Sequence, residues 1–243
     1  MQSARVVAIV PARYASTRLP GKALALIAGK PMIEHVYRRA SDASRVNAVV
    51  VATDDERIAD AVHGFGGLAV MTSEAHATGT DRLAEVAAAL SSEIVINVQG
   101  DEPMIDAQAI NACVQSLLDH PDDVMSSARR PLAPGEANNP AVVKVVVDEH
   151  DVALYFSRSA IPFHRAGAPE PTRWAHLGLY GYRRPFLLKL ARLTPTPLEQ
   201  SESLEQLRVL EHGYRIRCVL TSHASIGVDT PEDLEHVRRL LTS

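Results

Sequence analysis

The residues with the clearest capacity for chemistry lie in one loop, which directly follows the first apolar run of the chain. The stretch PARYASTRLPGK, residues 11–22, holds three cations, two hydroxyl side chains and a glycine: Arg13, Arg18, Lys22, Ser16, Thr17 and Gly21. Guanidinium groups bind phosphate oxygens in pairs, and glycine lets a backbone approach a ligand closely. No Asp or Glu precedes Glu34. The loop is therefore predicted to bind a polyphosphate, and the alternative is a solvated basic loop without a ligand.

Two acidic residues are candidates for holding a metal ion beside those phosphates. Asp101 lies with Glu102 in the stretch NVQGDEP, and Asp229 follows the apolar run at residues 226–228. Mg²⁺ prefers oxygen ligands and is bound through one or two carboxylates together with substrate phosphates. Each acid could instead help to cap the helix that follows it. Metal binding is favoured because both acids follow predicted strand ends, which a parallel sheet brings to one edge.

Further polar side chains in the second half of the chain do not indicate a particular chemistry on their own. They are Arg158, His176, Tyr180, Glu205 and Gln206. A single histidine is more often a structural residue than a catalyst. The sequence contains no Walker A loop, no GxGxxG motif, no Ser-His-Asp or Cys-His arrangement and no Cys/His cluster at zinc spacing. Covalent, nicotinamide and zinc chemistry are therefore not predicted.

The first half of the chain alternates short apolar runs with amphipathic stretches. Strands are predicted at residues 6–10, 46–52, 68–71 and 94–98, and helices at 31–42, 55–64, 80–91 and 106–119. Thr78 and Asp81 have the spacing of a capping box at the start of the third helix. Alternation of this kind predicts parallel βαβ units in a doubly wound sheet.

The pattern changes near Arg130. Residues 142–147 and 152–156 are predicted as a hairpin, 163–173 as a loop and 174–182 as a strand, followed by helices at 184–193 and 201–213. The α/β pattern returns at 226–228 and at the helix start TPED, residues 230–233. The prediction is one α/β domain, residues 1–243, with a mostly parallel, doubly wound sheet and a mixed α+β insertion at 130–221.

Composition and charge exclude several classes of protein. The 243 residues carry 25 Lys and Arg against 29 Asp and Glu, a net charge of −4, so no basic field for nucleic acid is expected. Cys113 and Cys218 are far apart in sequence, which indicates reduced thiols rather than a disulfide framework. No apolar run approaches the roughly 18 residues of a membrane span, and no signal peptide opens the chain. A cytoplasmic location without membrane insertion is predicted.

Seven segments together resemble one family, in family order, from residue 6 to about 240. They are VAIVPARYASTRLPGKAL, ATGTDRL (77–83), NVQGDEPMI (97–105), YFSR (155–158), HLGLYGYR (176–183), LEQLRVLE (204–211) and GVDTPEDLE (227–235). The family is that of the bacterial 3-deoxy-manno-octulosonate cytidylyltransferases, or CMP-Kdo synthetases. The resemblance implies a nucleotidyltransferase fold and transfer of CMP from CTP to the anomeric hydroxyl of Kdo, an acidic eight-carbon sugar. It also implies pyrophosphate release, Mg²⁺, a role in lipopolysaccharide biosynthesis and a homodimer built partly from the insertion.

The resemblance further implies roles for individual residues. Arg13 and Lys22 match the triphosphate-binding cations, with Arg18 nearby, and Asp101 and Asp229 match the metal-binding carboxylates. Positions in segments around the nucleotide are Ala12, Thr53, Asp54, Thr78, Gly79 and Arg82. Positions facing the sugar acid are Gln99, Arg158, His176, Tyr180, Glu205 and Gln206.

The chemistry of these residues agrees with nucleotidyl transfer. Mg²⁺ on the two acids would lower the pKa of the attacking hydroxyl, and the two cations would stabilise the departing pyrophosphate. Arg158 could pair with the sugar carboxylate, although a surface or dimer ion pair is its plainer alternative. Three other functions remain open: a CMP-sialic acid synthetase, a non-catalytic regulator that binds sugar nucleotides, and a glycosyltransferase. The last would require an Asp-x-Asp motif where this chain has Asp101-Glu102.

Overall fold

Eleven strands occur in the computed structural model, which describes residues 5–15, 18–76, 78–222 and 225–242. They are β1 (Val6–Ala12), β2 (Leu26–Ile27), β3 (Lys30–Pro31), β4 (Ala48–Thr53), β5 (Ala69–Met71), β6 (Ile94–Asn97), β7 (Met125–Pro131), β8 (Lys144–Val147), β9 (Ala153–Ser157), β10 (Trp174–Arg183) and β11 (Ile216–Leu220). The α-helices are α1 (Met32–Ser41), α2 (Glu56–Gly64), α3 (Gly79–Ala88), α4 (Ala107–Asp119), α5 (Arg184–Leu190), α6 (Pro197–Glu202), α7 (Gln206–Glu211) and α8 (Pro231–Thr242). A 3₁₀ turn spans Lys22–Leu24.

One large sheet organises the molecule, in the order β11-β7-β10-β6-β1-β4-β5, and β8 and β9 extend it beside β10. The neighbours β6, β1, β4 and β5 run parallel, and β11 runs parallel to β7. Only β10 along that order runs antiparallel to both of its neighbours in the described chain. The predicted mixed α/β fold with a mostly parallel sheet is confirmed.

Helices cover both faces of the sheet because the central strands are apolar on both sides. Along β1, alternate residues enter two different cores: Val6, Ala8 and Val10 pack with α1, α2 and α4, whereas Val7 and Ile9 pack with α3, α5 and α7. A continuous β-branched run such as VVAIV is typical of a strand buried on both faces. The sheet is doubly wound, as predicted.

A third, smaller core attaches the last helix beside the loop that follows β1. Val228, Leu234 and Val237 pack against Ile27 and Met32, which lie in the β2–β3 hairpin and at the start of α1. This contact brings the segment before α8 next to the N-terminal cations. The prediction that Asp229 follows a strand end was wrong, since residues 226–228 form no strand, and apolar packing brings Asp229 to the site instead.

Most of the predicted elements are present, with shifts of a few residues at their ends. Pro31 precedes α1 instead of opening it. The prediction of one helix over 201–213 was wrong, because the chain forms α6 and α7, separated at Ser203, which has a left-handed backbone (φ 52°). Residues 226–228 form no strand, and β7 and β11 were not predicted. The sequence of β7, MSSARRP, has few of the residues that favour strands.

The region from residue 130 to 221 continues the main sheet. Its strands β8 and β9 form the predicted hairpin, and β10 and β11 both pair with β7. Its bounds as a sub-region for sugar binding and dimerisation stay a prediction. None of the helices in the described part of the chain combines the length and apolar character of a bilayer-spanning helix.

Candidate active site

Two adjoining cavities open beside the carboxyl ends of β1 and β6. The smaller has a volume of about 410 Å³ and is lined by seven of the residues predicted to surround a nucleotide: Ala12, Arg13, Arg18, Lys22, Thr78, Gly79 and Arg82. Asp101 and Asp229 also line it. Parallel pairing of β1 with β6 explains the convergence, since the loops after both strands leave from the same edge. Ser16 and Thr17 lie outside the described residues.

Two glycines allow the loops of this smaller cavity to lie close together. A Cβ on Gly100 would be 2.6 Å from the carbonyl oxygen of Pro11, so only glycine fits between β1 and the loop that carries Asp101. Gly21 has a left-handed backbone (φ 67°), and its amide donates to the carbonyl of Tyr14 at 3.1 Å. That turn directs Lys22 back toward the acids.

Lys22 lies between the two predicted metal ligands. Its Nζ is 2.6 Å from Oδ2 of Asp101 and 3.0 Å from Oδ1 of Asp229. Burial lowers the pKa of Lys22, but the charges and hydrogen bonds of both carboxylates outweigh burial, and the net pKa is raised. Lys22 is therefore protonated at neutral pH. Arg18 approaches Asp229 from the exposed side, with its NH2 atom 3.0 Å from Oδ2.

Asp229 is held in place by its neighbours and is not itself the cap of α8. Thr230 and Asp233 cap that helix: the Asp233 amide donates to Oγ1 of Thr230 at 3.2 Å, and the Thr230 amide donates to Oδ2 of Asp233 at 2.9 Å. The backbone amide of Val228 donates to the carbonyl of Asp101 at 2.8 Å. These contacts leave the Asp229 carboxylate to face cations, so its alternative interpretation as a helix cap is not supported.

The two carboxylates fit a Mg²⁺ ion that binds together with phosphates. Asp101 and Asp229 already converge on one cation, the Lys22 ammonium, and they supply the oxygen donors that Mg²⁺ prefers. The described residues contain no cluster of three or more His, Cys, Asp or Glu that could hold a metal by protein ligands alone. Ligands from a bound nucleotide would have to complete such a site.

Of the remaining residues predicted to surround the nucleotide, some line the smaller cavity and others only contact a residue that does. Arg82 is buried, and its guanidinium lies 2.5 Å from Oδ2 of Asp54 and also donates to Oγ1 of Thr72. Asp54 and Thr53 do not line the cavity, so Asp54 contacts the site through Arg82, and buried Thr53 accepts from the Asp55 amide. Arg13 is exposed and forms no ion pair or hydrogen bond with the part of the chain that is described.

The larger cavity, of about 870 Å³, lies between β10, β6 and the start of α7. It is lined by five of the six residues predicted to face the sugar: Gln99, His176, Tyr180, Glu205 and Gln206. Gly79, Gln99 and Asp229 line both cavities, so the two cavities join beside Asp229.

Burial shifts the pKa of several polar side chains that line the larger cavity. Burial lowers the pKa of His176 to about 3, so its imidazole is neutral near pH 7. Burial also raises the pKa of Tyr180, whose hydroxyl donates to Oε1 of Gln206 at 3.4 Å. Burial raises the pKa of Glu205 as well, although a hydrogen bond from Thr80 Oγ1 at 2.8 Å partly opposes it. His176 and Tyr180 therefore offer hydrogen bonds and carry no charge at neutral pH.

Arg158 is the one sugar candidate that lines neither cavity. Its guanidinium donates to the backbone carbonyls of Glu202 at 2.9 Å, Pro140 at 3.0 Å and Ser203 at 3.4 Å. Arg158 was predicted to face the sugar, but its guanidinium N–H groups donate to these carbonyls instead. Two of the carbonyls lie at the C-terminal end of α6. Ser203 itself lines the larger cavity, so Arg158 lies just behind the cavity wall.

Comparison with known proteins identifies the family. Residues 7–216 match the cytidylyltransferase family. The sequence is 53% identical to the 3-deoxy-manno-octulosonate cytidylyltransferase of Geotalea uraniireducens (strain Rf4), over 96% of this chain and 97% of that protein. It is also 53% identical to the protein of the same name from Myxococcus xanthus (strain DK1622), over 99% of this chain and 98% of the relative. The chain belongs to the 3-deoxy-manno-octulosonate cytidylyltransferase family.

A solved structure extends this relationship to three dimensions. It is described as CMP:2-keto-3-deoxy-manno-octonic acid synthetase complexed with CTP, and it matches with a TM-score of 0.94 and 46% identity over 98% of both chains. The predicted family and its nucleotidyltransferase fold are confirmed.

In this member of the 3-deoxy-manno-octulosonate cytidylyltransferase family, the larger cavity also contains residues that the sequence did not single out for the sugar. Burial, and then the charge of Asp101, raise the pKa of Glu102 to about 7. Arg130 forms a two-pronged ion pair with Glu136, both contacts at 2.7 Å. Glu102 was visible beside Asp101 in the motif NVQGDEP, whereas Arg130 gave no local signal because β7 itself was not predicted.

Proposed function

We propose that this chain transfers CMP from CTP to the anomeric hydroxyl of 3-deoxy-manno-octulosonate (Kdo), which gives CMP-Kdo and pyrophosphate. The observation that carries this proposal is the junction of two cavities at Asp229, one rich in cations and one whose lining includes the hydrogen-bonding side chains of Gln99, Tyr180 and Gln206. A nucleotide and a sugar bound in such neighbouring cavities would meet beside the acidic pair. The relatives reported above are named for the same reaction.

The smaller cavity suits the triphosphate of CTP. Arg13, Arg18 and Lys22 would neutralise the phosphate oxygens and stabilise pyrophosphate as it leaves in an in-line displacement. The N-terminus of α3 adds backbone N–H groups near Thr78 and Gly79, and helix N-termini favour phosphate. None of these roles requires a covalent intermediate on the protein.

The larger cavity suits a polyhydroxylated sugar acid. Gln99, Gln206 and Tyr180 would exchange hydrogen bonds with hydroxyl groups and orient the anomeric hydroxyl toward the α-phosphate. Arg158, which lies behind the wall at Ser203, remains the proposed partner of the sugar carboxylate. Reaching it would require the guanidinium to leave its three backbone carbonyls.

We further propose that catalysis depends on Mg²⁺ held by Asp101 and Asp229. When bound, Mg²⁺ would relieve charge on the phosphate oxygens and lower the pKa of the attacking hydroxyl. Lys22, which now lies between the two carboxylates, would then contact the phosphates of CTP. The convergence of both acids on a single cation supports this assignment.

We also propose a cytoplasmic homodimer whose product serves lipopolysaccharide biosynthesis. The resemblance to the family supports these points. A dimer contact within residues 130–221 is further supported by Phe163, whose large apolar side chain is 87% exposed. Light scattering of the wild type and of Phe163→Ser would test the contact: a dimer that weakens in the variant supports it, and a monomeric wild type contradicts it.

The relatives support neither a CMP-sialic acid synthetase nor a non-catalytic regulator. The decisive experiment is a pyrophosphate-release screen of the four ribonucleoside triphosphates against Kdo and N-acetylneuraminate, with and without Mg²⁺. Release that requires CTP and Kdo supports the proposal. Release with N-acetylneuraminate instead of Kdo, or no release with any pair, contradicts it.

A further inference from the structure

A buried hydroxyl lies inside an irregularity of β10, directly behind the larger cavity. The pairing of β10 with β7 shifts register: Leu177 faces Ala128, but Tyr180 faces Ser127. The extra residues on β10 form a bulge, which frees backbone carbonyls from the regular ladder. Ser127 is fully buried, and its hydroxyl lies 2.9 Å from the Leu179 carbonyl and 3.3 Å from the Leu177 carbonyl.

The same hydroxyl contacts the imidazole of His176. The distance from Oγ of Ser127 to Nε2 of His176 is 2.9 Å. A serine hydroxyl has one hydrogen and two acceptor lone pairs, whereas a carbonyl oxygen can only accept. The hydroxyl hydrogen is therefore needed by the Leu179 carbonyl. The contact with His176 is satisfied only if Nε2 carries a hydrogen and donates it to Oγ.

We propose that Ser127 is a positioning residue, which fixes His176 in the Nε2–H tautomer and leaves Nδ1 as a hydrogen-bond acceptor for a sugar hydroxyl. The assignment of the sugar as the donor rests on the proposed function. The tautomer itself follows from the contacts within the protein. It also excludes His176 as a partner of the sugar carboxylate, because an unprotonated nitrogen cannot donate to an anion.

The surroundings of the ring support this assignment. Phe156 meets the imidazole edge-on with ring centres 4.9 Å apart, and Tyr180 lies at 5.4 Å. Burial keeps the pKa of His176 far below 7, so the ring carries a single hydrogen at neutral pH. Nδ1 forms no hydrogen bond with any residue in the described ranges, while His176 lines the larger cavity. A hydrogen bond on one ring nitrogen commonly fixes the role of the other.

The tautomer can be measured directly by ¹⁵N NMR of the histidine side chains in the ligand-free protein, with His176→Asn used to identify the signal. The wild type and Ser127→Thr, which keeps a hydroxyl, should show the Nε2–H form. Ser127→Ala should show a mixture of tautomers. Its KM for Kdo should rise about two- to tenfold, with the KM for CTP unchanged, because only the fraction of molecules in the Nε2–H form can accept the hydrogen bond from the sugar.

Ser126→Ala is the matched control. Ser126 is the preceding residue of the same strand and is equally buried, but its hydroxyl donates to the Cys113 carbonyl at 2.9 Å, on the side of α4. It should leave both the tautomer and the KM for Kdo unchanged. A wild-type spectrum with the Nδ1–H form overturns the proposal, and it does so even if Ser127→Ala fails to fold.

Failure of the proposed CMP transfer to Kdo can be distinguished from failure of the tautomer proposal. A wild type that releases no pyrophosphate with Kdo, but shows the Nε2–H form, would remove the sugar as donor while the tautomer stands. A Ser127→Ala enzyme with a mixed tautomer and unchanged Kdo KM would overturn the hydrogen bond from Nδ1 to the sugar.

Discussion

Two side chains on either side of Asp229, Lys22 in the smaller cavity and His176 in the larger, are held in opposite ways. In the smaller cavity, Lys22 and Arg18 are full charges balanced by carboxylates, and Arg18 is largely exposed. In the larger cavity, His176 is neutral and is held by buried partners. Partly exposed ion pairs are weak and can exchange partners with an incoming phosphate. Buried hydrogen bonds are costly to leave unmade, and they fix side-chain direction before a ligand arrives. We therefore expect the cations of the smaller cavity to bind by exchanging partners with phosphate, and His176 to bind through a hydrogen bond that is prepared in advance.

The largest expected effect comes from two carboxylates, Asp101 in the smaller cavity and Asp229, which lines both cavities. Asp101→Asn and Asp229→Asn should each lower turnover about 100-fold or more, the size expected when one preorganised electrostatic group is lost. Steady-state assays at saturating Mg²⁺ would measure this, with circular dichroism to check the fold. Asp60→Asn, an exposed position on α2, is the control and should keep full activity. Near-wild-type turnover in either variant would remove that residue from the proposed metal site.

Removing a cation from the smaller cavity should weaken the binding of CTP more than the binding of Kdo. Arg13→Ala and Lys22→Ala should each weaken CTP binding about tenfold, with less effect on Kdo, because a charge-assisted contact to phosphate is worth roughly 1.5–3 kcal/mol. Calorimetric titration of CTP would show it. Lys30→Ala removes an exposed cation from the same acid-poor region and should bind CTP normally. If Kdo affinity falls while CTP affinity holds, the loop binds the sugar instead.

A substitution at Arg158 tests whether this side chain binds the sugar carboxylate or only holds the backbone behind the larger cavity. Arg158→Lys should raise the KM for Kdo several-fold and leave the KM for CTP unchanged, because an ammonium cannot form the two-pronged contact that a guanidinium makes with a carboxylate. Kinetics at varied Kdo would measure the split. A variant with a lower melting temperature but wild-type Kdo kinetics would show that the contacts with Pro140, Glu202 and Ser203 are its role.

The smallest expected effect is on stability at mildly acidic pH. The pKa of His176 is about 3 in the folded protein, against 6.5 for the free side chain, so the unfolded chain binds this proton more tightly. Its contribution to stability is present above about pH 6.5 and is lost progressively as the pH falls toward 3. Thermal melts at pH 7.5 and 5.0 should show a smaller drop for His176→Gln than for the wild type. His63→Gln, on the surface, should behave like the wild type; equal drops in all three proteins would contradict a buried neutral His176.

Local patterns predicted the cations and the two acids of the smaller cavity, whereas its other residues and most of the larger cavity could be assigned only through family resemblance. The run VVAIV, the capping box of Thr78 and Asp81, and the loop that carries Lys22 each encode their structure within a few residues. The position of β7 depends instead on long-range pairing with β10 and β11, and its sequence has little strand character of its own. The role of Ser127 could not be predicted, because it depends on a register shift in a neighbouring strand. The position of the Arg158 guanidinium likewise depends on the break between α6 and α7, where it donates to the carbonyls of Glu202 and Ser203.

The attachment of α8 beside the first loop has a consequence for how the protein is made. A nascent chain emerges from the ribosome with its N-terminal residues first. The loop with Lys22 and the strand before Asp101 are therefore available long before Val228 can pair with the Asp101 carbonyl and bring Asp229 into place. Until then Lys22 has only one of its two acidic partners, and the wall between the two cavities is incomplete. With the role proposed for Asp229, catalytic competence would be acquired late in synthesis, and an unfinished chain would not consume CTP by this route.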